Sequence, residues 1–242
     1  MKKQPDMEKT VAVILAAGSG SRTGLAVPKQ FLTLDGKTVL EHSVQTFHDH
    51  AGIDELVIVT SALYFDRVRQ IAADNGWSKP LQILEGGRER YDSSLAAVRA
   101  YAGQPDTVML FHDAARPLVS ADIISDCLEA MKTCNCVDVA IPAADTVVQC
   151  DSEGKHMQSV PDRSLMWQMQ TPQCFRQHTI QEAYRIALAD PGFKATDDCG
   201  TVLRYLPHEK VGIVRGSRSN MKLTYASDLG LLEYMIGQNK KD

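Results

Sequence analysis

An α/β fold, with a doubly wound, mostly parallel twisted sheet flanked by helices, is predicted by three features of the chain. Val11 to Leu15 is a run of five apolar residues, the mark of a strand buried on both faces. Apolar strand-like runs then alternate with amphipathic helical stretches as far as Ile141. Several of the early strands also run into loops rich in glycine or charge, at the sheet edge where open α/β folds bind ligands.

The first strand breaks into Ala16-Ala17-Gly18-Ser19-Gly20, small residues that let a ligand approach the backbone, followed by the cations Arg22 and Lys29. Thr38 to Phe47 reads as a helix opened by a Thr38/Glu41 capping box, with Leu40, Val44 and Phe47 on one face. Glu55 to Thr60 is the second strand. Tyr64 to Asn75 is a helix turning Phe65, Val68, Ile71 and Ala72 inward and stopping at Gly76. Leu81 to Leu84 is a strand ending in Gly86-Gly87-Arg88-Glu89-Arg90, and a helix follows over Asp92 to Ala102. Thr107 to Phe111 is a strand ending in His112-Asp113-Ala114-Ala115-Arg116-Pro117. A helix over Ser120 to Met131 leads to a strand at Val137 to Ile141.

The rhythm then changes. Asp145 to Cys150 and Lys155 to Val160 read as two strands around the turn-rich Asp151-Ser152-Glu153-Gly154. The outward residues of this protruding β-hairpin arm, about 143–165, include few charges and several apolar ones, which predicts that it packs on another surface. Helices at Gln177 to Ala189, Asp198 to Leu206 and Ser227 to Gln238, with a strand at Lys210 to Arg215, complete the chain. No repeat or linker divides it, so one domain over residues 8–238 is the expected organisation.

A chain of 242 residues can bury a substantial core. Its formal net charge of −4 excludes general attraction to nucleic acid or an anionic membrane, so cations that matter must act locally. No apolar run approaches the roughly 20 residues of a spanning helix, and the polar start MKKQPDMEKT lacks the apolar stretch of a secretion signal. A cytoplasmic protein is expected. The six cysteines are scattered without zinc-ligand spacing and read as reduced structural thiols.

Two common phosphate motifs fail on spacing. Gly18, Gly20 and Gly24 are spaced G-x-G-x-x-x-G with Pro28 where a helix should run, which disfavours a dinucleotide site and hence an NAD-dependent oxidoreductase. Gly36-Lys37-Thr38 mimics the end of a Walker A loop, but the required first glycine falls on Phe31. What remains is LAAGSGSR followed by PKQ, Leu15 to Gln30, an opening that resembles sugar-nucleotide pyrophosphorylases and related nucleotidyltransferases. Further along, Glu89 to Ser94, His112 to Pro117, Asp145-Thr146, Gln170 to Gln173, Thr196-Asp197 and Asn220 to Thr224 resemble the cytidylyltransferases that act on sugar-alcohol phosphates. The resemblance covers nearly the whole chain from Val11 onward, in the family's order.

That resemblance implies a single Rossmann-like nucleotidyltransferase domain and one reaction: CTP plus an alditol phosphate gives a CDP-alditol and pyrophosphate. The acceptor phosphate, with a second pKa of roughly 6, is largely ionised near neutral pH and needs no general base. The protein's task is to align the reactants and neutralise charge, with fixed cations and a divalent metal. By motif position, Arg22, Lys29 and Lys222 are the catalytic cations. Leu15, Ala16, Ala17, Gly18, Gly87, Arg88, Ser93, Asp113, Ala114 and Arg116 form the nucleotide site, with Asp113 also beside Mg²⁺ or another divalent cation. Thr146, Arg163, Thr196 and Asp197 match the acceptor side. The family exchanges its hairpin arm across a two-fold axis, which implies a homodimer with Arg163 reaching the neighbour's site.

Each assignment has a purely structural competitor. Asp113 can be a helix N-cap with Arg116 as its ion-pair partner, and Thr196 with Asp197 a cap for the helix that follows. His112 reads as a satisfied core or loop histidine, and Trp167 and Tyr91 as packing residues. A nucleotide-binding regulatory module without catalysis is the competing class, but it would not require Arg22, Lys29 and Asp113 together. Within the family, Arg88 replaces the acidic residue usual in the methylerythritol branch, and Thr196 to Gly200, T-D-D-C-G, resembles the pentitol branch. D-ribitol 5-phosphate is therefore the expected acceptor, with 2-C-methyl-D-erythritol 4-phosphate as the alternative.

Overall fold

A computed structural model describes residues 8–18, 27–194 and 197–239. In chain order it runs β1 (Thr10–Leu15), β2 (Thr33–Leu34), β3 (Lys37–Thr38), α1 (Val39–Asp49), β4 (Glu55–Thr60), α2 (Phe65–Asp74), β5 (Leu81–Glu85), α3 (Arg90–Ala100) and β6 (Val108–Asp113). It continues α4 (Ala121–Ala130), β7 (Cys136–Pro142), β8 (Gln149–Cys150), β9 (Met157–Ser159), β10 (Trp167–Arg176), α5 (Gln177–Ala187), α6 (Asp198–Tyr205), β11 (Val211–Arg215) and α7 (Asp228–Asn239).

Seven strands form one sheet in the order β11-β7-β10-β6-β1-β4-β5. All neighbours pair parallel except β10, which runs antiparallel to both β6 and β7. The apolar run of β1 is explained by its central place: Val11 and Val13 enter the core under α3, α5 and α6, while Ala12 and Ile14 enter the core under α1, α2 and α4. This is the predicted α/β architecture with helices on both faces of the sheet.

Strand β10 departs from the sequence reading, which assigned no element to residues 167–176. Pro172 cannot donate to the ladder, and the strand accommodates it where the β7–β10 register shifts between Met169 and Gln173. Burial by two neighbouring strands holds β10 in place despite its weak local pattern. Trp167, expected to pack, begins this strand 39% exposed. The arm's strands also shrink from the predicted spans to the two-residue β8 and three-residue β9, which pair only with each other.

Local signals were otherwise followed closely. Thr38 Oγ1 accepts from the Glu41 N–H at 3.2 Å and Glu41 Oε2 accepts from the Thr38 N–H at 2.7 Å, completing the capping box of α1. Gly36, at φ +81°, makes the tight turn between β2 and β3, so Gly36-Lys37-Thr38 is a turn and a cap. Helix α3 starts two residues earlier than predicted, at Arg90, because Asp92 accepts from the Glu89 N–H at 3.0 Å. The thiols of Cys127, Cys136, Cys174 and Cys199 are buried, and all six cysteines are unbridged. Among the described residues no helix is long and apolar enough to cross a membrane.

Candidate active site

The carboxyl ends of β1, β5 and β6 open onto one cavity of about 740 Å³. Register places Leu15 beside Asp113 across the β1–β6 pair, and beside Val59 across the β1–β4 pair. The first loop is fixed by its own carbonyl: Ala16 O accepts from Gln30 Nε2 at 2.6 Å and from Thr60 Oγ1 at 3.3 Å. Buried Gln30 thus ties the turn bearing Lys29 to the end of β1.

The loop after β5 packs against the first without room to spare. A Cβ on Gly86 would lie 2.4 Å from Ala17 Cβ and 2.7 Å from Ser93 Oγ, and one on Gly87 would lie 2.1 Å from Asp92 Cβ. Glycine is required here by close approach. The packing brings Gly87, Arg88 and Ser93 to the cavity wall.

Asp113 is the last residue of β6, which corrects its placement in a loop and removes the helix N-cap reading. Its N–H donates to Thr171 Oγ1 at 3.1 Å, and Thr171 Oγ1 lies 2.9 Å from His112 Nδ1. His112 Nε2 faces the Arg116 carbonyl at 3.0 Å and must donate to it, so Nδ1 accepts from the Thr171 hydroxyl. Burial, the largest influence, brings the imidazole down to about 4, leaving it neutral near pH 7. His112 is the satisfied core histidine the sequence suggested.

The Asp113 carboxylate meets two cations: Arg90 Nε at 3.3 Å on Oδ1 and Lys222 Nζ at 2.6 Å on Oδ2. Burial works to raise its pKa, but Arg90 and Lys222 outweigh that and hold the group well below the usual carboxylate range. Its ion-pair partners are therefore Arg90 and Lys222, so the purely structural alternative, which paired Asp113 with Arg116, does not hold. Arg116 does not line the cavity; its guanidinium donates to Asn220 O at 2.7 Å and Met169 O at 3.4 Å. Together with the Leu223 N–H on Ala115 O at 2.8 Å, it pins the segment that delivers Lys222.

Of the residues assigned to the nucleotide and the chemistry, Leu15, Ala16, Ala17, Gly18, Lys29, Gly87, Arg88, Ser93, Asp113, Ala114 and Lys222 line the cavity. Arg22 and Thr196 lie outside the described residues. Thr146 and Arg163 are exposed on the arm, where Arg163 Nη1 donates to Ala144 O at 3.3 Å. Asp197 is the N-cap of α6, accepting from the Gly200 N–H at 2.7 Å and from Gln173 Nε2 at 3.3 Å. These three do not join the cavity of their own chain. The cavity wall also includes Gln30, Ser61, Gly86, Glu89, Arg90 and Ala115, to which the sequence assigns no role, although five of them, all but Ser61, stand inside stretches it singles out.

Among the described residues no three His, Cys, Asp or Glu side chains gather into a metal site. Mg²⁺ bound with a nucleotide needs only one or two carboxylates besides phosphate oxygens and water, and ionised Asp113 meets that minimum. With Lys29, Arg88 and Lys222 on its wall, the cavity suits a polyanion of nucleotide size.

Residues 10–238 match the family described as IspD: 2-C-methyl-D-erythritol 4-phosphate cytidylyltransferase. The chain is similar to a 2-C-methyl-D-erythritol 4-phosphate cytidylyltransferase of Thermobifida fusca, 46% identical over 232 residues covering 94% of this chain and 93% of that one. It is also similar to the bifunctional ribulose 5-phosphate reductase/CDP-ribitol pyrophosphorylase of Haemophilus influenzae, 44% identical over 229 residues, 94% of this chain but 48% of that protein. Among solved structures, the 4-diphosphocytidyl-2C-methyl-D-erythritol synthase of Anaerococcus prevotii superposes with a TM-score of 0.83 at 27% identity, over 96% of this chain and all of that one (100%). With the match spanning the sheet, the three loops and the Lys222 segment, the chain belongs to the 2-C-methyl-D-erythritol 4-phosphate cytidylyltransferase family.

Proposed function

We propose that this cytidylyltransferase moves CMP from CTP to 2-C-methyl-D-erythritol 4-phosphate, releasing pyrophosphate. The observation that carries the reading is the meeting of the glycine loop, Lys29 and the Lys222–Asp113 pair on one cavity wall. The match of residues 10–238 and the Thermobifida relative support this acceptor. An oxygen of the acceptor phosphate attacks the α-phosphorus in line as the bond to pyrophosphate breaks. Arg22, Lys29 and Lys222 neutralise the charge that develops, and the backbone of Leu15 to Gly18, with Gly87, Arg88, Ser93 and Ala114, frames the nucleoside. Asp113 would hold Mg²⁺, which supplies charge neutralisation on the phosphates when bound.

The chain acts as one domain over residues 8–238 and works in the cytoplasm. Its arm, about 143–165, pairs with a second copy and carries Thr146 and Arg163 to the neighbour's site, where Thr196 and Asp197 complete the acceptor pocket. Arg116 braces the Lys222 segment. A second reading, D-ribitol 5-phosphate as acceptor, is favoured by the Haemophilus relative, by Arg88 and by the sequence T-D-D-C-G at Thr196 to Gly200.

Pyrophosphate release from CTP and Mg²⁺ with each acceptor, followed by mass analysis of the products, tests both readings. Turnover of methylerythritol phosphate is expected. Turnover of ribitol phosphate alone would move the assignment to the second reading, and turnover of neither would overturn both.

A further inference from the structure

Arg90 stands between two carboxylates from distant parts of the chain. Its Nε donates to Asp113 Oδ1 at 3.3 Å and its Nη1 donates to Asp198 Oδ2 at 2.5 Å. Asp198, the first residue of α6, has a fully buried side chain. Ser94 Oγ also donates to Oδ2 at 3.0 Å, the Tyr184 hydroxyl donates to Oδ1, and the Asp198 N–H donates to Gln173 Oε1 at 3.3 Å. Ser94 and Tyr184 are themselves buried. So many partners make Asp198 an anchor with no role left for a diffusible ligand.

The opposite side of the fork is more open. Arg90 keeps 27% of its side chain exposed on the cavity wall, and Asp113 beyond it takes Lys222 on its other oxygen. The result is a row of alternating charge, Asp198–Arg90–Asp113–Lys222, running from the first turn of α6 to the cavity. A guanidinium suits the inner position because its rigid fork binds two acceptors along fixed directions, which an ammonium on a flexible stem cannot reproduce.

We infer that Arg90 is a positioning residue for the transfer reaction, fixing Asp113, and through it Lys222, relative to the first turn of α6. This rests on the cytidylyl-transfer reading above. Asp113 takes its place from Arg90 and Lys222 from Asp113, so loosening the inner fork displaces both groups in the cavity. Misplacement by about 1 Å in a site of this kind costs on the order of 100-fold in rate.

Arg90→Met alone would strand the buried Asp198 charge and invite unfolding, so the decisive protein is the double variant Arg90→Met/Asp198→Asn. Replacing both members of a buried ion pair by neutral groups is commonly tolerated, whereas removing one is not. The double variant is expected to melt within about 5 °C of the wild type. Its KM for CTP should stay within about threefold, while kcat falls about 100-fold. Arg90→Lys, which keeps the charge without the fork, should lose at least about tenfold in kcat while CTP still raises its Tm.

A double variant with kcat within about threefold of the wild type would overturn the inference, since Arg90 would then serve only to neutralise Asp198. If the double variant does not fold, Arg90→Lys decides: wild-type kcat overturns the inference and the tenfold loss supports it. An inactive wild type would sink the transfer reading, and the inference with it. An active wild type matched by an equally active variant sinks the inference alone.

Discussion

Lys222 Nζ and Asp113 Oδ2 lie 2.6 Å apart at the cavity wall, although 109 residues separate them in the chain. The contact joins the end of β6 to the segment held by Arg116, and leaves Lys222 about one-third exposed, at 31%. Such an ammonium is anchored enough to have a fixed location and exposed enough to meet a phosphate. Lys222→Ala should lower kcat for pyrophosphate release by about 100- to 1,000-fold, the usual cost of removing one preorganised electrostatic group. The fold should survive, because Arg90 continues to pair with Asp113. Steady-state assays beside a melting curve check this; an unchanged kcat would refute the role.

Gly86 marks where two of the three loops touch. Its missing Cβ would meet Ala17 Cβ at 2.4 Å, a backbone-anchored atom that cannot rotate away. Gly86→Ala should therefore force the first and second loops apart, at about 1–3 kcal/mol of stability, as overpacking generally costs. Because the displaced residues include Ala17 and Ser93 on the cavity wall, CTP affinity should fall with stability. Thermal unfolding and a CTP titration on the same protein measure both. A variant that binds CTP normally would show that the loops are not held by this contact.

These contacts mark the boundary between what the sequence discloses and what it does not. β1 and β4 were legible because a strand buried on both faces is a continuous apolar run, and α1 because its cap is written within four residues, Thr38 to Glu41. β10 was not, because its place depends on β6 and β7 and its own pattern is interrupted by Pro172. Within the cavity, Gly87, Asp113 and Lys222 stand out in recognisable motifs. Arg90 sits in one of the same loops, but its partner Asp198 lies 108 residues away and only the fold brings them together. Gln30 stands in PKQ with no visible task, since the acceptor of its amide, the Ala16 carbonyl, is a backbone atom that no motif displays.

The arm presents a different prediction. On the arm, Val147, Val148, Met157, Val160 and Leu165 are all exposed, with Leu165 at 72% and Met157 at 69%. A run of apolar side chains on a projecting element marks an interaction surface, and the proposed occupant is the arm of a second copy. Met157→Glu with Leu165→Glu would place charge on that surface and should shift the protein from dimer to monomer in sedimentation, with little change in far-ultraviolet circular dichroism. Acceptor turnover should fall in parallel, because Arg163 would no longer reach the neighbouring site. A monomeric wild type would remove the basis for arm exchange.

Two buried groups away from the cavity floor give the stability a testable response to pH. Burial, the largest influence, with Asp197 nearby, raises Asp138 to about 7, while its hydrogen bond from Gln173 Nε2 at 3.1 Å works the other way. A carboxyl raised in the folded state contributes most below its unfolded pKa, and that contribution is lost as the pH rises through about 7. His112 has the reverse sign: lowered to about 4, it contributes fully above the unfolded histidine value and loses that contribution as the pH falls toward 4. Between pH 8 and pH 5 the two slopes oppose each other, and the wild type should change by less than about 1 kcal/mol from this pair. Asp138→Asn removes one slope and leaves the other. The variant should be the more stable protein at pH 8, where the wild type carries a buried charge, and should then lose about 2 kcal/mol on going to pH 5. Urea unfolding at both pH values, in buffer free of divalent cations, measures the difference directly. A variant whose stability tracks the wild type across that range would mean that Asp138 is ionised throughout and that its burial is compensated by more than Gln173.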